Sequence, residues 1–178
     1  ASEDPALMAQ AHDTMAFAPF ARPCGLAEAA RGIVKSHLAA ALELYRLLGD
    51  EGGGARTSWS LAISAAGSHR LYEARELAME SLEAARSVGD QYQVGWSLHT
   101  LGQAEIALGD IEAARRHILE SFEIWVSAGD VSGQTLLLLD AAIVARARGL
   151  EACSWKLVGA GDRLRLATGT GLGVYTVE

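Results

Sequence analysis

Between Ile111 and Trp125 the apolar side chains Ile111, Ala114, Ile118, Phe122 and Trp125 recur at steps of three and four, with charged residues in every gap between them. That spacing lines one side of an α-helix and leaves the other to water. The same periodicity predicts helices at about 55–67, 71–88, 92–108, 111–128, 131–148 and 151–168. It also predicts one over 26–48 and a short one from Ala6 to Phe17. At 1.5 Å of rise per residue, an 18-residue helix is about 27 Å long.

Gly-Asp pairs punctuate these helices. Gly49-Asp50, Gly89-Asp90 and Gly129-Asp130 lie 40 residues apart, and Gly109-Asp110 falls midway through the best copy. Glycine takes the left-handed conformation that closes a helix at little cost. Aspartate then accepts hydrogen bonds from the free N–H groups of the next first turn. Asp90 has Gln93 three residues on, the spacing of a capping box. Between the turns the columns repeat: Met79 to Glu83 lies on Leu119 to Glu123, Ala74 on Ala114, Leu61 on Leu101, and Ala62 on Gly102 and Ala142. Leu38, Leu42 and Tyr45 fall where Ile118, Phe122 and Trp125 fall. A period of this size is the signature of stacked helical hairpins. Gly52-Gly53-Gly54 interrupts the pattern and reads as a flexible turn or a hinge.

Leu101-Gly102, Gly109-Asp110, Ala114 and Ser121 resemble the tetratricopeptide pattern of a large-small pair, a turn and two small residues on the second helix. The 40-residue period and the run Leu157 to Gly169 are similar to the C-terminal helical-repeat region of bacterial signal-transduction ATPases, including MalT-like and LuxR-type transcription regulators. The resemblance covers roughly residues 26–172. It implies an all-α, right-handed solenoid of antiparallel helical hairpins, serving as the sensor or assembly arm of a cytoplasmic regulator. The expected divisions are an N-terminal segment 1–25, a repeat domain 26–168 and a tail 169–178. The N-terminal segment is either the first helix of an incomplete repeat or a boundary segment. The phosphate-binding loop, the catalytic Arg and Asp elements and the DNA-binding or cyclase domains of such regulators have no counterpart here, so their activities do not carry over.

Composition narrows the picture further. Half of the 178 residues are hydrophobic, and all three prolines, Pro5, Pro19 and Pro23, precede Cys24. A formal charge of −7 argues against direct nucleic-acid binding, which requires clustered Lys and Arg. Cys24 and Cys153 have neither metal-ligand nor disulfide spacing, which suits a reducing cytoplasm. No apolar run approaches the roughly 18 residues of a membrane span.

Chemistry is sparse. Gly169 to Gly173 resembles a nucleotide loop but follows a helix, without the strand–helix setting such loops need. His12, His37, His69, His99 and His117 include no metal-binding helical pair beside a carboxylate, and Ser58, Ser60 and Ser64 have no evident base. No catalytic residue, metal or cofactor is therefore expected. Glu80 and Glu120 share a column and read as solvated or paired with arginine.

In a tetratricopeptide-like stack the first helix of each hairpin lines the concave face. That places Arg56, Trp59 and Ile63, then Trp96, His99 and Gln103, then Leu139, Ile143 and Arg146 there. The candidate binding residues are Arg56, Trp59, Trp96, His99, Gln103 and Arg146, a set able to hold a protein or peptide partner, or a small effector, by stacking and charge-assisted hydrogen bonds. The competing reading is that the tryptophans fill space between repeats. The last helix, with Trp155, Leu157, Val158, Leu164 and Leu166, has no polar helix behind it, which suggests either a chain cut from something longer or a homodimer surface. A free-standing peptide-binding adaptor is the alternative function, and an enzyme with a site built across repeats is the least supported.

Overall fold

A computed structural model describes residues 4–17 and 28–169. The described residues form the helices α1 (Pro5–Phe17), α2 (Glu28–Leu48), α3 (Glu51–Gly67), α4 (Leu71–Ser87), α5 (Gln91–Leu108), α6 (Ile111–Ala128), α7 (Val131–Ala147) and α8 (Glu151–Thr168). Pro19, Pro23, Cys24 and the tail from Thr170, with Gly171 and Gly173, lie outside the described residues.

The turns keep a finer period than the Gly-Asp pairs alone display. Gly49, His69, Gly89, Gly109, Gly129, Gly149 and Gly169 all have positive φ, one every 20 residues. The following residue donates its N–H to the carbonyl five positions back, as Asp50 does to Tyr45 at 3.0 Å, Arg70 to Ala65 at 2.9 Å and Asp130 to Trp125 at 3.0 Å. This closure satisfies carbonyls that a helix end leaves open. Asp50, Asp90, Asp110 and Asp130 then cap the next helix through their side chains. The Asp90 box is only half formed: Asp90 accepts from the Gln93 N–H, but the Gln93 amide turns inward to Ser81 and Ser97. Arg70 cannot accept a hydrogen bond, so α4 begins without a side-chain cap. Arg70 instead pairs with Glu73 in the first turn. Burial would raise the Glu73 carboxyl, but hydrogen bonds from Lys35 and Arg70, and their charges, hold it below the usual range.

Two compact units divide between Thr100 and Leu101. In the first, α1 packs on α2, α2 on α3 and α3 on α4. Val34, Leu38, Leu42 and Leu61 form its core, with Ala9, Ala41 and Tyr45 as a second patch under α1. The Asp13 carboxylate accepts from the Tyr45 hydroxyl at 2.9 Å and the Thr57 hydroxyl at 3.0 Å, tying α1 to α2 and α3. The N-terminal helix is thus an integral layer of this unit. Ser81 and Ser97, fully buried with hydroxyls 2.7 Å apart, join α4 to α5. On the outer face Arg46 pairs with Glu80 at 2.7 Å.

In the second unit α6 packs on α7 and α7 on α8. Ile118 lies over Gly102, where a Cβ would meet it at 2.8 Å. The buried Glu105 accepts its partner from the next helix, His117, at 2.8 Å. Glu112, on the surface, is held below the usual carboxylate range first by its hydrogen bond from Arg115 and then by the charge of Arg148.

The three-glycine run is neither a loose turn nor a hinge. Helix α3 starts at Glu51 and takes all three glycines into its first turns. A Cβ on Gly53 would lie 2.4 Å from the Tyr45 ring, so glycine is there to admit an aromatic face. Gly133 does the same for Trp125, at 2.7 Å. The apolar reading of α8 also changes. Only Ser154 and Gly161 are buried in it, and the columns of Leu42, Leu82 and Phe122 and of Tyr45 and Trp125 arrive there as Asp162 and Arg165, 3.8 Å apart.

Candidate functional site

In the first unit the structure brings Trp59, Trp96 and His99 together. The Trp59 and Trp96 rings stand 5.7 Å apart, Trp96 meets His99 at 5.8 Å, and Tyr92 closes the row edge-on at 6.3 Å. These are contact distances for aromatic pairs, so no ring-sized gap remains between them. The Trp59 indole N–H donates to the Thr100 hydroxyl at 2.9 Å. Both tryptophans are half-buried, while His99 is 6% exposed. The histidine therefore belongs to the interior beneath Trp96 and is not open to a ligand, in contrast to its expected place on the concave face. Arg56 and Ile63, on the same stripe of α3, are exposed.

In the second unit the Gln103 side chain is exposed, with its amide 3.5 Å from the buried Asp140 carboxylate. Arg146 has a different setting. With Leu139 and Ile143 it lines one wall of a cleft of about 370 Å³, and Glu151, Trp155 and Val158 of α8 line the other. Half of Ile143 and 71% of Trp155 remain open to solvent. Among the described residues Arg146 makes no ion pair.

Trp155, which the sequence puts on the apolar last helix, stands outside the candidate binding set of Arg56, Trp59, Trp96, His99, Gln103 and Arg146. An apolar residue at helical spacing reads as core, and Trp155 fits the stripe of α8. The signal was in the repeat: 40, 80 and 120 residues earlier the same column holds Arg115, Arg75 and Lys35. Lys35 pairs with Glu73, Arg115 with Glu112, and Arg75 lies over the Tyr72 ring. This is a solvent column, so a tryptophan in it stands in water.

With the 20-residue register, the paired helices and these surfaces in view, the chain can be set beside known proteins. Residues 54–125 match the tetratricopeptide repeat family. The crystal structure of BtubC (BKLC) from P. vanneervenii superposes with a TM-score of 0.79, covering 96% of this chain and 68% of that one at 17% identity. At that identity the likeness shows the fold alone. No curated protein matches the sequence. The fold is accordingly an all-α, tetratricopeptide-like helical repeat. Tetratricopeptide repeats in general mediate protein–protein interaction.

Proposed function

We propose that this chain is a non-enzymatic recognition module, the partner- or effector-binding arm of a bacterial regulatory ATPase or transcription regulator in the cytoplasm. The observation that carries the recognition role is the α7–α8 cleft, where Arg146, without an ion pair among the described residues, and the exposed Ile143 and Trp155 stand together. Much of their surface is left open by this fold, and Trp and Arg are enriched among the residues that dominate interfaces. The regulatory setting is supported by the sequence likeness of the repeat and of the run Leu157 to Gly169. In that setting a partner bound to the arm shifts a resting–assembled equilibrium, which requires different affinities for the two states.

Two measurements test this. Selection of peptides from an unbiased display library on the purified chain is expected to yield sequences that bind saturably, and a selection that enriches nothing counts against recognition. An antibody raised to the chain is expected to detect a polypeptide several times heavier than 18.8 kDa in source cells. A band near 18.8 kDa would replace the regulator arm with a free-standing adaptor.

A further inference from the structure

We infer that the α7–α8 cleft binds a peptide segment of a partner protein that carries a large apolar side chain beside a carboxylate. This deepens the recognition reading above and rests on it. The apolar half of the requirement comes from Trp155. Its column is otherwise occupied by solvated cations, so the fold places no demand for an aromatic there, and the ring is 71% exposed beside Ile143 and Val158.

The acidic half comes from the charges around the cleft. Arg146 is exposed at the last turn of α7 and has no partner among the described residues. Lys156 is exposed next to Trp155. Glu151 is the one acid lining the cleft, and it lies in the first turn of α8, where its charge complements the helix dipole. The lining therefore carries one cation and one anion, and Arg146 makes no ion pair with Glu151 or with any other described residue. A guanidinium offers a carboxylate two parallel hydrogen bonds. The openness of the cleft decides the size of the occupant: a free small molecule filling about 370 Å³ would leave much of Trp155 and Arg146 wet, whereas a peptide backbone running over the rim covers both.

The test uses the whole chain and three fluorescein-labelled probes of one design: a ten-residue peptide with a central Leu-Trp pair flanked by Asp, its Asn counterpart and its Lys counterpart. Anisotropy titrations are expected to rank them Asp, Asn, Lys, with at least tenfold between the first two. Trp155→Arg restores the cation of the column and is expected to weaken the Asp probe at least tenfold. Arg146→Gln is expected to bring the Asp and Asn probes within twofold. Unchanged circular dichroism and melting temperature keep these losses separate from unfolding. Equal binding of Asp and Asn probes, no binding of any probe, or indifference to Trp155→Arg overturns the inference. So does a doubling of mass in sedimentation that Trp155→Arg abolishes, which would assign the cleft to a second copy. Library peptides that bind the chain but ignore Trp155→Arg would remove this cleft and leave the recognition role standing.

Discussion

One column of the repeat is solved in two ways. At Tyr45 with Gly53, and again at Trp125 with Gly133, an aromatic ring at the end of one helix lies on a bare glycine eight residues later. At the corresponding place between them Ala85 is small, and Gln93 is the large partner, buried with its amide on Ser81 and Ser97. The volume is shared in opposite directions, and a polar side chain enters only where hydroxyls wait for it. What the fold requires of the column is a total volume, not a residue type. The sharpest way to break the aromatic version is Gly53→Ala or Gly133→Ala. The new methyl would lie under 3 Å from ring carbons near the stem, which cannot swing aside. Overpacking of this kind costs about 1–3 kcal/mol, less the ~0.5–1 kcal/mol that Ala gains over Gly within a helix. A net loss of about 1–2 kcal/mol is expected by urea unfolding; unchanged stability in both variants would mean the rings do not rest on these glycines.

The polar version breaks differently. Ser81 donates to the Ala55 carbonyl at 2.7 Å and touches both Ser97 and the Gln93 amide. Ser81→Ala removes no bulk worth counting but leaves buried partners short of a hydrogen bond, at a cost of about 1–2 kcal/mol. Pairing Ser81→Ala with Gln93→Leu is expected to recover part of that loss, because replacing polar partners together avoids an orphaned amide. A double-mutant cycle with no coupling would show that the two side chains do not form one network.

Tyr45 sharpens the comparison with pH. Burial, then the hydrogen bond to Asp13 and its charge, push its phenol up to about 12 from an ordinary 10. Because the folded value lies above the unfolded one, its contribution to stability is complete below pH 10 and is lost as the pH rises through about 12. Tyr45→Phe keeps the ring on Gly53 and removes the hydroxyl, at a cost of about 1 kcal/mol near neutrality. The gap between the two proteins is expected to stay flat up to pH 10 and then close. Tyrosinate absorbance should show a late phase that Tyr45→Phe abolishes, and its persistence in the variant would remove the assignment.

The helices and their hairpin pairing were legible because two local codes agree, the apolar stripe and the Gly-Asp turn. The helix bounds that they predict fall within a residue or two of those observed from Leu71 onward. Other features were not legible for physical reasons. What Gly53 does is set by a ring on the preceding helix, and a glycine run carries no mark of what approaches it. Two of the turns between the described helices lacked the Gly-Asp label: His69 stands where glycine is usual, and Gly149 is followed by Leu150. For the candidate site, Arg56, Ile63, Ile143 and Arg146 of the stripe are exposed. The stripe could not separate His99, which is buried, from its half-buried neighbours Trp59 and Trp96, since all three share one helical periodicity. For Trp155 hydrophobicity marked only an apolar last helix, and its exposed setting is read from its column of cations.

The turns repeat the lesson at the smallest scale. Among the described residues six of the seven left-handed positions are glycine, and His69 holds the seventh at φ 56°. Its turn makes the same bonds as the others, His69 to the Ala66 carbonyl and Arg70 to that of Ala65, both at 2.9 Å. The closure therefore survives a side chain, and the difference is confined to the backbone energy of an L-residue in that region, roughly 1–2 kcal/mol. Glycine in its place loses more chain entropy on folding, which takes back part of this gain. His69→Gly is expected to stabilise the chain by about 0.5–1 kcal/mol, raising the urea midpoint without changing the slope. A loss of stability would show that the exposed imidazole makes a contribution that the backbone term does not contain.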